Sequence, residues 1–376
     1  DIESRASEND AIAKETNLDS FLSDVDWDLA KLELDLALEG LGPDELQEMF
    51  IDALARDLEE KNSFEAAGMI LEEIALQDPL VGEALLNALS PAEKTKLASA
   101  LAKGWAEGDP MGAWDWITVS WMDPNGEYLD RKLQYSLFYD ALDVVLTRRK
   151  EYQVAADLVR QEYEPELKEQ LAELIAKRVV SDNPSDALSR IEFDSDDEID
   201  QAILDAIVDE WSQRDFLGVK NWALSNEQQV SELGVRKVAK QLLLNEAELD
   251  LLEFHSGLGD VDKRDAAAAE VGRLTARREP DLATHWLNAI QSGPRKQIAV
   301  KGALYELGHD DFEATVGLLD GVYDVRSADR LPLMTDALLS WSRVDVGIVE
   351  SYLASGREVY LPRTLDEFRK YVESSL

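Results

Sequence analysis

Histidine and cysteine supply many catalytic bases, nucleophiles and transition-metal ligands, and this chain has few of them. Its 376 residues include no cysteine and three histidines, His255, His285 and His309. The lack of cysteine excludes disulfides, thiolate zinc sites and cysteine nucleophiles. The histidines are too far apart for an HExxH motif or a two-histidine face. We therefore expect each histidine on the surface or in a turn, and we find no catalytic motif.

Carboxylates are far more abundant, and their densest runs raise the question of calcium. The segment EFDSDDEID covers residues 192–200, and Asp260, Asp262 and Asp265 cluster after Gly259. The first run lacks the glycine and the terminal bidentate glutamate that a calcium loop needs at fixed positions. Carboxylates at the start of a helix cap backbone amides and are stabilised by the helix dipole. We predict that role for both runs, and we predict no metal and no cofactor.

An aromatic segment supplies the candidate contacts with a partner. It includes a strong turn signal, Asp123-Pro124-Asn125-Gly126. The candidate partner-binding residues are Trp114, Trp121, Tyr128, Tyr135 and Tyr139. The alternative is that these aromatic side chains fill a mismatch between layers of helices.

The elements that position these side chains are predicted to be helices. From Trp27 onward Leu, Ala, Glu, Lys and Arg dominate, apolar residues recur at intervals of three and four, and no strand pattern is convincing. The segment Leu97–Ile117 aligns without a gap on Leu171–Ile191. Each contains Asp or Asn, then Pro, then Ala three positions after the Pro. An Asp or Asn at the N-cap followed by Pro at the first helical position favours a helix start.

Degenerate copies of this pattern, with Asp, Asn or Glu before the first helical residue, recur along the chain. Their first helical residues fall at 79, 110, 152, 184, 216, 246, 280, 312 and 346. The spacing is about 32 residues, apart from one longer step between 110 and 152 that contains the aromatic segment. Insertions in repeat proteins map to loops on one face, which is often the binding face. The tryptophans in or near register are predicted to be core: Trp105, Trp211, Trp222, Trp286 and Trp341.

The arrangement D-P-x-x-A-x-x-W in GDPMGAWDWI, and its copy with Glu in place of Asp in REPDLATHWLN, resembles tetratricopeptide-like helix-pair repeats. It also resembles the W-A-x-x-D-P-x-x-A-x-x-W repeats of bacterial envelope proteins. The resemblance covers roughly residues 64–353 and implies an α-solenoid that binds proteins or peptides. We therefore predict an all-α fold, a right-handed superhelix of antiparallel helix pairs. The resemblance transfers no catalytic residue.

The predicted organisation has three parts. Residues 1–26 are rich in Asp, Glu, Ser and Asn and are expected to form a flexible acidic leader. Residues 27–361 form the repeats. Residues 362–376 form a capping helix, in which Thr364 and Glu367 match a capping box and Leu365, Phe368 and Val372 make one apolar stripe.

Charge limits the choice of partner. The chain has 38 Lys and Arg against 78 Asp and Glu, a formal net charge of −40, with 45% hydrophobic residues. This charge disfavours nucleic acid and anionic membranes, whereas the hydrophobic content indicates a substantial core. No run of apolar residues is long enough to span a bilayer. A basic or aromatic-anchored protein or peptide fits best, since opposite charge speeds encounter.

The predicted function is a non-catalytic interaction scaffold or adaptor in the bacterial cell envelope. The lack of cysteine and the start at Asp1 favour an exported, trimmed chain, with the cytoplasm as the alternative location. The alternative function is an envelope glycan-processing enzyme or its accessory module, which would need a cleft with two converging, desolvated carboxylates. A third interpretation is that the acid excess is an adaptation to a salty habitat.

Overall fold

The computed structural model describes residues 18–22, 27–56, 61–121, 130–194, 197–308 and 311–375. Within these ranges every regular element is a helix and no strand is present, which confirms the all-α prediction. No helix in these ranges is both long and apolar enough to cross a membrane. The chain divides into two compact units, Asp1–Ile203 (unit 1) and Leu204–Leu376 (unit 2).

Unit 1 is built from short and medium helices. Its helices are α1 (Leu18–Leu22), α2 (Trp27–Leu38), α3 (Pro43–Ala55), α4 (Lys61–Gln77), α5 (Pro79–Asn87), α6 (Pro91–Gly108), α7 (Pro110–Ser120), α8 (Arg131–Val144), α9 (Tyr152–Gln161), α10 (Pro165–Ser181) and α11 (Pro184–Leu188). A π-helical segment, Val145–Arg149, follows α8 directly. The boundary between the units falls within α12 (Glu198–Arg214).

Unit 2 continues in the same style. Its remaining helices are α13 (Phe216–Ser225), α14 (Glu232–Leu244), α15 (Glu248–Gly257), α16 (Val261–Thr275), α17 (Pro280–Ala289), α18 (Pro294–Leu307), α19 (Phe312–Val322), α20 (Arg330–Trp341), α21 (Val346–Ser355) and α22 (Leu365–Ser375).

Local capping explains where many of these helices start. Helices begin at the predicted residues 79, 110, 152, 184, 216, 280, 312 and 346. At six of these starts the preceding side chain accepts a hydrogen bond from a first-turn amide, as Asp109 Oδ1 does from Gly112 N at 3.1 Å. The six capping residues are Asp78, Asp109, Asn183, Asp215, Asp311 and Asp345. Each such cap stabilises its helix by about 1 kcal/mol.

Glutamate does not cap in this way, although it precedes two of the predicted helix starts. Neither Glu151 before α9 nor Glu279 before α17 makes a side-chain cap hydrogen bond. The carboxylate of glutamate is one methylene farther from its backbone than that of aspartate, so it does not make the short hydrogen bond to the first-turn amides that defines the cap. The ninth predicted start, residue 246, is also displaced: α15 begins at Glu248 after Ala247, and Glu246 has a φ of 55°.

Close helix contacts set the core of unit 1. Helix α4 packs on α6, and Leu71 and Leu101 are fully buried there. The crossing depends on Gly104, because a Cβ at this position would lie 1.9 Å from the backbone oxygen of Glu72. A glycine therefore allows the two backbones to approach closely enough for α6 to pass over the last turns of α4.

In unit 2 small side chains have a similar effect. Helix α16 packs on α14, α17 and α18. Its four consecutive alanines, Ala266–Ala269, are all buried, so several helices can approach α16 from different sides.

Tryptophans fill the spaces between the helices. Trp105, Trp211, Trp286 and Trp341 are buried as predicted, whereas Trp222 is half-buried. Trp105 and Trp116 in unit 1 have ring centroids 5.8 Å apart. Trp211 and Trp222 in unit 2 are 5.9 Å apart.

The structure describes part of the predicted leader and most of the predicted capping helix. Leu18–Leu22, inside the predicted leader, form α1 and Leu18 is buried, whereas residues 1–17 and 23–26 lie outside the described residues. At the other end α22 contacts α21, with Phe368 fully buried. Thr364 Oγ1 accepts a hydrogen bond from the Glu367 amide at 3.3 Å, half of the predicted capping box. The superhelical arrangement and its period remain predictions.

Candidate functional site

The predicted aromatic candidates divide into buried and exposed side chains. Trp114 is 3% exposed and Trp121 is 7% exposed. Trp114 packs on Phe138 at 4.5 Å between ring centroids, and Trp121 stands edge-on to Trp116 at 6.4 Å. These two tryptophans are therefore core side chains, as the alternative interpretation proposes. Helix α7, which carries Trp114 and ends just before Trp121, contacts both α6 and α8.

The three tyrosines differ from one another. Tyr135 is half-buried and its hydroxyl donates to Glu164. Burial, together with this carboxylate, raises the pKa of Tyr135 to about 12. Tyr139 is 43% exposed, and Tyr128 lies outside the described residues. A partner contact at these positions stays a prediction, for which Tyr139 offers the most accessible ring.

The acid runs do cap helices, as predicted. Asp197 Oδ1 accepts hydrogen bonds from the amides of Ile199 and Asp200, and Asp260 Oδ1 accepts from those of Asp262 and Lys263. The amide hydrogen bonds lower the pKa of Asp260. Across the described part of the chain, no three His, Asp or Glu side chains group closely enough to hold a metal ion.

One of the two described histidines differs from the prediction, since His285 is exposed as predicted and His255 is not. His255 lies in the last helical turn of α15, where it is half-buried and edge-on to Trp286, with 5.1 Å between the ring centroids. Burial lowers the pKa of His255. His285 also contacts Trp286, and His309 lies outside the described residues.

Unit 1 contains a polar cleft of about 660 Å³, here called the acid cleft. Its walls come from α2, α4, the end of α6 and the π-helical segment. The lining residues are Lys31, Leu32, Asp35, Glu39, Met69, Glu72, Glu73, Leu76, Glu107 and Arg148. Five carboxylates against two cations make this cleft strongly electronegative.

Arg148 neutralises the centre of the acid cleft. Its Nη2 lies 2.6 Å from Glu72 Oε1, and its Nη1 contacts Glu107. The π-helical segment ends at Lys150 with a φ of 56°, and the adjacent Arg149 donates to the carbonyl oxygen of Gly108 at 3.1 Å. Consecutive arginines thus meet the C-terminal end of α6, where the helix dipole favours cations.

This arrangement bears on the enzyme alternative. Burial raises the pKa of Glu72, an effect that the nearby Arg148 partly offsets. Glu72 and Glu107 do converge, but they converge on Arg148 rather than on open space. A hydrolytic pair holds substrate between its two carboxyl groups, and here a guanidinium of the chain lies between them.

Unit 2 contains a larger depression of about 1000 Å³, here called the groove, with walls formed by α19 and α21. The lining residues are Phe312, Glu313, Val316, Gly317, Asp320, Asp345, Gly347, Ile348, Ser351, Tyr352, Ser355 and Arg357. Phe312 and Val316 are buried and Tyr352 is half-buried, so they form its apolar base. The rings of Phe312 and Tyr352 meet edge to face at 5.3 Å.

Carboxylates surround this apolar base. Glu313 has no hydrogen-bond or ion-pair partner among the described residues. Asp345 caps α21, where its Oδ1 accepts from the Ile348 amide at 3.1 Å. Asp320 contacts two guanidinium groups, those of Arg330 and Arg357. The groove therefore combines an apolar base with a net acidic edge.

A buried ion network lies behind the groove. Arg330 is 0% exposed, and its Nη2 is 2.6 Å from Glu358 Oε1 and 2.8 Å from Asp320 Oδ1. Tyr352 donates its hydroxyl to Glu358 at 2.8 Å. Burial, together with Glu358, raises the pKa of Tyr352. These bonds hold the start of the segment after α21 against α20.

Some of these residues follow the repeat pattern of the sequence, and others have no local pattern. Phe312 and Tyr352 belong to the degenerate repeats with helix starts at 312 and 346, so their register was visible. Arg330, Arg357 and Glu358 carry no local pattern, because their ion-pair partners lie 10 or more residues away in the chain.

No protein-family model, curated protein or solved structure matches the chain. The resemblance to tetratricopeptide-like repeats therefore rests on the D-P-x-x-A-x-x-W units alone.

Proposed function

We propose that this protein is a non-catalytic interaction scaffold or adaptor that binds a basic protein or peptide. The observation that carries the proposal is the groove, which offers an apolar base of Phe312, Val316 and Tyr352 with an acidic edge. Binding surfaces for peptides commonly combine apolar anchoring with complementary charge.

The proposed architecture is an α-solenoid of antiparallel helix pairs with a right-handed superhelix. Helix starts at 184 and 216, and again at 280 and 312, are 32 residues apart, which supports this proposal. Each pair would bury one face against its neighbours and leave grooves between successive second helices. The groove lies between two such helices, α19 and α21.

The proposed location is the bacterial cell envelope, which the lack of cysteine supports. The net charge of −40 supports the choice of a basic partner, because an oppositely charged partner associates faster and its long-range attraction is screened by salt.

The test is a set of labelled peptides with one length and one apolar content. One peptide carries arginines, one carries glutamates and one carries neutral polar residues in the same positions. Fluorescence anisotropy with the full chain measures affinity at roughly 0.1 M salt, where the Debye length is about 10 Å, and at roughly 1 M salt, where it is about 3 Å.

We expect the basic peptide to bind more tightly than the other two and to lose affinity at high salt. Equal binding of the acidic and basic peptides, or no binding of the basic peptide at low salt, would refute the proposed function.

A further inference from the structure

Asp320 in the groove has two arginine partners in different environments. Its Oδ1 lies 2.8 Å from Nη2 of Arg330, which is fully buried and is also held by Glu358. Its Oδ2 contacts Nη2 of Arg357, whose side chain is 53% exposed. The inner guanidinium fixes the carboxylate in place, and the outer one is accessible to solvent.

The outer arginine is the weaker partner. Exposed ion pairs contribute little to stability, because water competes for both charges and the long side chains lose conformational freedom. Arg357 also follows Gly356, which has a φ of 64° and ends α21. Arg357 therefore lines the end of the groove from the segment after the helix, and Asp320 would keep its buried partner if Arg357 moved away.

We propose that the groove binds a peptide segment bearing an arginine, whose guanidinium replaces that of Arg357 on Asp320. This inference rests on the proposed function and names the site and the side chain that the partner supplies. Arg357 is the chain's own example of a guanidinium bound at this position.

The chemistry of the groove favours arginine over other cations. The guanidinium group is planar, binds carboxylates through paired donors and packs well on aromatic rings. Phe312 and Tyr352 provide such rings along the base, and Glu313 and Asp345 add negative charge along the walls. The charge of the groove is thus complementary to an arginine-bearing segment.

The size of the groove indicates a peptide rather than a single amino acid. Its volume is about 1000 Å³, at the upper end of the range for small-ligand pockets. The walls, α19 and α21, have 11 and 10 residues. Helices of that length extend for roughly 15 Å, enough to contact several residues of a bound segment.

The experiment uses the full chain and a fluorescein-labelled peptide with two arginines that alternate with leucines. Matched peptides contain lysine or citrulline in place of arginine, since citrulline keeps the shape of arginine without its charge. The variants are Arg357→Ala, which removes the competing guanidinium, and the pair Glu313→Gln with Asp345→Asn, which removes two wall charges.

These substitutions are chosen to preserve folding. Asn at position 345 still caps α21, and Arg357 is half exposed. Glu350→Gln, an exposed position on α21 outside the groove lining, is the matched control for loss of one negative charge. Melting temperatures measured for every variant establish that the fold is retained.

We expect Arg357→Ala to bind the arginine peptide about 3-fold more tightly, the scale of one exposed ion pair. We expect the double variant to bind it about 10-fold more weakly and Glu350→Gln to leave the affinity unchanged. The citrulline peptide should bind far more weakly than the arginine peptide, and the lysine peptide should fall between them.

Two outcomes separate this inference from the proposed function. If the arginine peptide binds in a salt-dependent way but Arg357→Ala and the double variant leave its affinity unchanged, the groove assignment is overturned and the scaffold proposal survives. If no basic peptide binds to the wild-type chain or to any variant, both are overturned.

Discussion

The acid cleft of unit 1 and the groove of unit 2 both bring carboxylates to an arginine from another helix, yet they differ in where the charge is buried. In the acid cleft, the half-exposed Arg148 contacts Glu72 and Glu107 together. In the groove, a buried Arg330 fixes Asp320, while Arg357 contacts it from the outside. Arg148 and Arg357 are exposed to a similar extent, so the difference is that Asp320 in the groove also has a fully buried arginine partner.

The two sites also differ in the side chains beneath their charges. The acid cleft is lined mainly by charged side chains, whereas the groove has Phe312, Val316 and Tyr352 beneath its charges. Phe312 and Val316 offer little accessible surface of their own, so the half-buried Ile348 and Tyr352 would also contribute to the apolar contact of a bound peptide, and charge would select which peptide binds. We therefore propose a structural role for the ion pairs of the acid cleft, and the binding role proposed above belongs to the groove.

The largest effect on stability is expected from removing Glu358, the buried carboxylate partner of Arg330. Glu358→Gln leaves a buried guanidinium without its main carboxylate, which costs about 3–5 kcal/mol when a buried pair is broken. We expect a loss of that size in the free energy of unfolding, measured by urea denaturation of the full chain.

The matched change in the acid cleft is Glu107→Gln. Arg148 is half exposed and keeps Glu72, so we expect a loss below about 1 kcal/mol. Similar losses in the two variants would contradict the distinction between a buried and a solvent-exposed ion network.

The close approach of the α4 and α6 backbones at Gly104 predicts a second, smaller loss of stability. Gly104→Ala would place a Cβ 1.9 Å from the backbone oxygen of Glu72, so α4 and α6 would have to separate. We expect a loss of about 3 kcal/mol in the free energy of unfolding, at the upper end for overpacked cores.

Gly68→Ala is the control for this prediction, since it adds the same methyl group to α4, the helix that packs on α6. Its Cβ would meet nothing closer than 3.8 Å, and alanine favours helix, so we expect stability to rise by up to about 1 kcal/mol. Equal effects of the two substitutions would show that the close approach at Gly104 is not what positions Glu72.

The smallest expected effect concerns pH. Burial raises the pKa of Glu72 above its ordinary value of 4.5. The folded protein therefore loses stability as the pH rises through the raised pKa, because the buried carboxyl must ionise. Glu72→Gln removes that titration. Between acid and neutral pH, the free energy of unfolding of the variant should rise by up to about 1 kcal/mol relative to that of the wild type.

Urea denaturation of both proteins at acid and neutral pH measures this difference. The stability difference between variant and wild type should be nearly constant below pH 4.5 and should change in favour of the variant above it. A change in the opposite direction would mean that attraction to Arg148 outweighs the burial of Glu72.

Local features of the fold were predictable from the sequence, and contacts between distant residues were not. Asp109-Pro110 predicts a helix start because the cap involves only neighbouring amides. For Trp114 and Trp121 the sequence left burial and partner contact as two open interpretations, because aromatic composition alone does not say which side chains near α7 meet α8. The ion network of Arg330 and Glu358 joins residues 28 positions apart, a pairing that depends on tertiary structure.

The tryptophan pairs also make each unit optically distinct. Trp105 and Trp116 are tilted by 30° in unit 1, and Trp211 and Trp222 by 48° in unit 2. Indole rings held this close at fixed angles couple electronically, and the coupling disappears when the rings separate. Replacing Trp116 by Phe removes its indole contacts with Trp105 and Trp121 in unit 1 and leaves the pair in unit 2. The order in which the units melt can then be recorded by near-ultraviolet circular dichroism without any attached dye.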